Sequence, residues 1–308
     1  VALRHLGFVD LPAHAKAGGF DHAAVHEPTG RVYVAHTAND AIDVIDIDAR
    51  THVRSIGGLT AVAGALVSTA ADLVFTSNRG EDTVGMFRPD DPASLEKIAV
   101  GLRPNGLAYD PGRGRLLAAH VGDPAIPGSC TVSIVDVPSR KRIADVAVAG
   151  RTRWTVYDPV ADVFHVNIAD PPQIAVVAAS DPGGIPRVVP IPYAGPHGLD
   201  LDVGRRRVFC ACDAGVLLAL DADGGRVLAT ERIAGVPDVV FVNRALGRVY
   251  VAIGDPGVIE VFDTTPLRRR ETITTEAGAH TLSFDAARDI VCAFLPASHR
   301  ASVYRDEP

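Results

Sequence analysis

The chain repeats itself about every 42 residues, and no other feature narrows its fold so far. One unit reads whole as "HAAVHEPTGRVYVAHTANDAIDVIDIDARTHVRSIGG": a strand, a Gly-containing turn, a strand, a polar loop, a strand ending in Asp, and a final strand. Seven such units follow one another, with His22, Gly64, Asn105, Trp154, His197, Asp238 and His280 read as equivalent positions on their first strands. Val, Ile, Phe and Tyr alternate with period two between Gly, Pro and Asp turns, which excludes the helical solenoids of similar period. Four short strands per repeat of this length make a propeller blade. The chain is therefore expected to be all-β, a seven-bladed β-propeller. Its last unit supplies only three strands, "HTLSFD", "DIVCAFL" and "ASVYRD", while "ALRHLGFVDL" stands spare before the first unit. That N-terminal strand is expected to close the last blade and remove the edge an open ring would expose. Residues 1–308 read as a single seven-bladed domain.

Composition limits the partners. A formal charge of −7 argues against nucleic acid, which selects a basic face. The basic run Arg268-Arg269-Arg270 reads as a solvated strand edge. No apolar run of about 18 residues offers a membrane span. No charged-then-apolar leader opens the sequence, so a cytoplasmic location is expected, with a leader already removed as the alternative. Cys130, Cys210, Cys212 and Cys292 have no zinc-ligand spacing. Cys210 and Cys292 share an interior strand register and read as small buried apolar residues.

The segments "RVYVAHTANDAIDVIDIDARTHV", "DLVFTSNRGEDTVGMF" and "RVYVAIGDPGVIEVFDT" resemble the YVTN-type propeller repeat across essentially the whole chain. The resemblance implies the fold. Its implications for activity are broad, because similar propellers include lactonases, lyases, surface proteins and binding scaffolds. Where the motif's second strand usually ends in Asn, this chain carries His36, Asn78, His120, Asn167, Cys212, Ile253 and Phe294. The calcium-dependent lactonase-like members use Glu, Asn and Asp at the channel, and too few carboxylates stand here for that mechanism to transfer.

First strands line a propeller's central channel, and each starts at the end of the ring where its antiparallel second strand finishes. His197, Asp238, His280 and His22 thus form a contiguous arc at one channel mouth. Imidazoles with a carboxylate suit Zn, Fe, Cu, Mn or Ni, and three His with one Asp would leave a position open for water. A divalent transition metal held by His22, His197, His280 and Asp238 is therefore expected, serving hydrolysis or elimination of a small polar organic molecule. Asp238 together with His36 and His120 would move protons. Asn105, Asn78, Trp154 and Arg153 would hold the substrate, with the indole as an apolar wall. Without a metal, Asp238 paired to a histidine could still act as a base. The alternative is a non-catalytic ligand- or protein-binding scaffold using the same arc. His165 reads as buried, and His5, His14, His52 and His299 as outer or loop residues. No nucleophile elbow, P-loop or dinucleotide fingerprint is present.

Overall fold

The computed structural model describes residues 2–308. Seven four-stranded antiparallel sheets follow the repeats. The first blade runs from Phe20–His26 through Arg31–His36 and Ala41–Asp46 to Thr51–Ile56, and the next five keep that order from the channel outward. In the seventh, Thr281–Asp285 is innermost, followed by Ile290–Leu295 and Arg300–Asp306, and Leu3–Asp10 pairs outside the last of these. The N-terminal strand thus completes blade seven, as its sequence suggested. Each innermost strand packs beside that of the next blade, and blade seven meets blade one.

Turn chemistry fixes where each inner strand ends. Asp110, Asp158, Asp202 and Asp285 each close a first strand, and their carboxylates accept backbone N–H groups two or three residues on. This is the Asx-turn mimicry that favours Asp at such corners. Between blades the apolar faces interdigitate. Cluster members Ile174 and Val176 of blade four meet Leu199, Cys210 and Leu218 of blade five, and Val32 and Val34 of blade one meet Cys292 and Val303 of blade seven. Burying each such side chain is worth about 1.5–3 kcal/mol. Cys210, Cys212 and Cys292 are buried free thiols, and burial pushes the Cys292 thiol up to about 12.

At the start of the inner strand, blades one, three, four, five and six carry a bulge: Pro196 pairs with Cys212, yet Leu199 pairs with Cys210. Blade two bulges at the same place. A bulge re-aims side chains and is common beside binding sites. Here it also corrects the register read from the sequence. Counting from paired residues, the positions equivalent to His197 are Asp21, Ala63, Asn105, Arg153, Asp238 and His280. His22, Gly64 and Trp154 fall one residue later, alongside Gly106, Gly198 and Val239. That later position is crowded: a Cβ on Gly106 or Gly198 would stand 2.4 Å from the carbonyl oxygen of Arg153 or Asp238 in the next blade. Glycine there lets neighbouring inner strands close up, which explains the "NG" and "HG" pairs.

Candidate site: a charged channel mouth

His197 is the centre of the mouth. Its Nδ1 donates to Asp213 Oδ1 at 2.7 Å, and its Nε2 lies 3.1 Å from Asp238 Oδ1. Asp213 is the first residue after the second strand of the same blade, and Asp238 comes from the next blade. Burial works against charge on this imidazole, yet the hydrogen bonds to Asp213 and Asp238 outweigh it and raise its pKa to about 9. Burial would likewise raise Asp238, but the His197 hydrogen bond and the nearby His197, His280 and His22 hold its carboxyl well below the usual range. At neutral pH the pair is an imidazolium between two carboxylates. Arg153 packs beside it, Nη2 3.5 Å from Asp213 Oδ2 and Nη1 3.1 Å from Nε2; with the imidazole charged, that second contact sets two donors together and lowers the His197 pKa, against the two carboxylates. His280 donates Nδ1–H to the Gly278 carbonyl at 2.8 Å and sets Nε2 3.7 Å from Asp238 Oδ2.

Across the channel, Arg79 donates to Asn105 Oδ1 and lies 3.3 Å from Asp21 Oδ2. Arg79, like Asp213, directly follows a second strand. Arg151 makes no ion pair among the described residues; burial and then the like charges of Arg153, Arg79 and Arg103 lower its pKa. Arg103 also lacks a carboxylate partner, and its guanidinium reaches only the Gly122 carbonyl at 3.5 Å. The blade three and four side of the mouth therefore holds excess positive charge.

His22 and Trp154 sit together one residue deeper. Their ring centroids are 4.1 Å apart, and Trp154 also meets Phe241 edge-on at 6.1 Å. Burial lowers the His22 pKa although Asp21 and Asp238 oppose it, so this imidazole is neutral. The indole crosses the channel rather than standing as a wall at its rim.

Of the residues singled out in the sequence, the fold brings Arg153, His197, Asp238 and His280 into direct contact. It places Asn105 with Arg79, and sets His22 against Trp154 with the rings tilted by 50°. His36, His120 and Asn78 are buried inside their own blades. His36 Nδ1 bonds Asp43 Oδ2 at 2.6 Å, His120 Nδ1 bonds Thr131 Oγ1 at 2.8 Å, and Asn78 donates to Thr83 Oγ1 at 2.9 Å. Burial drops the His120 pKa to about 4. These three are fastened by third-strand partners that the repeat pattern did not flag. Asp21, Arg79 and Asp213 are functional candidates that sequence reading missed. Counting five residues back from each turn-closing residue finds Asp21, and taking the residue after each second strand finds Arg79 and Asp213.

A transition metal needs imidazole lone pairs. His197 has none while it is the imidazolium that a pKa of about 9 makes it at neutral pH. Among the described residues no group of three or more His, Cys, Asp or Glu side chains is arranged to hold a metal ion. The arc as folded does not fit the expected three-His, one-carboxylate centre.

The His197 pKa has a stability consequence. It stands at about 9 against an ordinary 6.5, so its contribution is complete below 6.5 and is lost as pH rises through about 9. The side chain is only 13% exposed, and the shift corresponds to about 3 kcal/mol. Urea unfolding at stepped pH is expected to show stability falling by this order from neutral to about pH 10, and His197→Gln is expected to flatten that limb. A wild-type curve that is level or rising over this range contradicts the pairing.

Fold and mouth together define a class, a seven-bladed propeller whose channel opens through a ring of paired charges. No family model matches the chain, and no curated protein matches it. Among solved structures, a chain of the "Crystal Structure of Mitotic Checkpoint Complex" is similar over 98% of this chain and 91% of its own, with a TM-score of 0.82 and 12% identity. At that identity the likeness carries the fold alone. Among the described residues no helix is long and apolar enough to cross a membrane.

Proposed function

We propose that this chain is a non-catalytic binding propeller, of the YVTN-type repeat its sequence resembles, and that its mouth holds a small organic anion such as a carboxylate. The observation that carries the reading is Arg151: a guanidinium without an ion pair among the described residues, on which the like charges of Arg153, Arg79 and Arg103 outweigh Asp213. A bound carboxylate would relieve that repulsion through charge-assisted hydrogen bonds. The opposite wall supports holding rather than turnover. With its pKa raised to about 9 by Asp213 and Asp238, His197 is an imidazolium at neutral pH, without a free lone pair with which to act as a general base.

Calorimetry with succinate, citrate and inorganic phosphate at low ionic strength tests this. One anion per chain is expected, weakening with salt. Arg151→Ala and Arg153→Ala should each weaken it about tenfold, the loss of one charge-assisted contact. Absence of binding by all three anions would overturn the anion reading. Turnover of an ester or lactone that disappears in His197→Gln, or stoichiometric metal lost in His280→Ala, would restore an enzyme.

A further inference from the structure

Below the Trp154–His22 pair the channel does not stay narrow. It widens into a chamber of about 550 Å³ lined by inner-strand residues of all seven blades, a volume typical of sites for small organic molecules. None of Asp21, Asn105, Arg153, His197, Asp238 or His280 lines it. It opens instead at the opposite face, past the turns that hold Ala70, Pro111, Pro159 and Val203. The lining is unlike the mouth. Ala24, Ala65 and Ala108 leave space, and Trp154, Tyr109 and Phe241 supply flat apolar surface.

Charge appears in this chamber at Asp200 and at Arg244 near the exit, while His22 beside the indole is neutral. Asp200 accepts the Leu201 and Val242 backbone N–H groups at 2.7 Å each, and burial raises its pKa to about 6. Arg244 donates from Nε and Nη2 to the Leu201 carbonyl. It makes no salt bridge among the described residues, and its Nη1 has no partner there. Its charge pulls the Asp200 pKa down against burial, yet no salt bridge among the described residues joins the two, and an apolar cavity with a guanidinium whose Nη1 is open at its exit selects an amphipathic shape.

We propose that this chamber is a second binding site, separate from the mouth, for a molecule with an apolar, ring-sized body and one anionic end: the body packs under Trp154 and the anion meets Arg244. The site does not depend on what the mouth binds.

Trp154 is the only tryptophan in the chain and reports on the chamber directly. Anilinonaphthalene sulfonate has the required body and charge, and N-phenylnaphthylamine is its uncharged counterpart. Saturable binding of one sulfonate per chain with quenching of the indole emission is expected. Ala24→Phe, which fills the chamber from blade one, should abolish it while the circular dichroism spectrum stays native. Arg244→Ala should weaken the sulfonate about tenfold and leave the neutral probe unchanged, a split that remains readable if Ala24→Phe fails to fold. Arg153→Ala should change neither probe. Non-saturable binding, equal loss of both probes in Arg244→Ala, or loss in Arg153→Ala alone would overturn the proposal.

Discussion

Removing Ala2–Leu11 is expected to leave a chain that no longer holds its native fold. The strand Leu3–Asp10 covers the full length of Arg300–Asp306, from Leu3 opposite Asp306 to Asp10 opposite Arg300. Leu3 and Val9 are 3% and 1% exposed, and Leu11 is buried in the same cluster as Val9. Burial of three such side chains is worth about 5–9 kcal/mol at the usual rate. That is comparable with the whole net stability of an ordinary domain, about 5–15 kcal/mol. The segment also ties blades together: the Ala2 and Leu3 N–H groups bond Glu271 Oε2 of blade six at 2.6 and 3.2 Å, and the Leu11 N–H bonds the His299 carbonyl at 2.8 Å. Without it, Arg300–Asp306 becomes an unpaired edge, open to association with other chains. Size-exclusion chromatography and thermal melting should show aggregation or a collapsed transition. A monomer with an unchanged melting temperature contradicts the closure.

Asp158→Ala should be the most damaging single substitution at an inner-strand turn. The carboxylate is fully buried. It accepts the Val160 and Ala161 N–H groups at 2.9 and 3.2 Å, and Arg206 of blade five pairs with it bidentately at 2.8 and 2.7 Å. One side chain thus closes the blade four turn and joins two blades. Burial raises its pKa, but His165 Nε2 at 3.8 Å, the Arg206 pair and the two amides outweigh this and hold it well below the usual carboxylate range. Its contribution is accordingly present above an ordinary Asp pKa and lost as the solution is acidified. Removing one partner of a buried pair strands the other, at about 3–5 kcal/mol. Arg206 is 22% exposed and keeps Asp223, so about 3 kcal/mol is expected, the low end of that range. Urea titration should show the midpoint falling by that amount at neutral pH, with the gap to wild type narrowing in acid. A loss under about 1 kcal/mol would show that the pair is not what joins these blades.

The fold was legible in the sequence because its determinants are local. Period-two alternation, turn residues and the spare strand "ALRHLGFVDL" each act over a few residues, and together they fixed the blades and their closure. The mouth was legible only in part. His197, Asp238 and His280 were assigned the right register. His22 and Trp154 are read one residue late: the bulge, shared by blades one to six, leaves two adjacent residues at each strand start, and alternation does not choose between them. Their conspicuous rings stood next to the true mouth residues, Asp21 and Arg153. His36 and His120 carried no local sign that Asp43 and Thr131 on the neighbouring strand would hold them inside the blade. Arg79 and Asp213 emerged only once antiparallel pairing set second-strand ends against first-strand starts.

The central claim is that His197 is a cation held between two carboxylates and organising a binding mouth, and nuclear magnetic resonance of its imidazole nitrogens tests it most directly. With the signals assigned through His197→Gln, both nitrogens should remain protonated through neutral pH and titrate together near 9. In Asp213→Asn and Asp238→Asn that midpoint should move down toward 6.5, the ordinary value from which the two carboxylates raise it. An imidazole that titrates at or below 6.5 in the wild-type protein, or that shows one bare nitrogen at neutral pH, would contradict the account and return His197 to the roles of base or metal ligand.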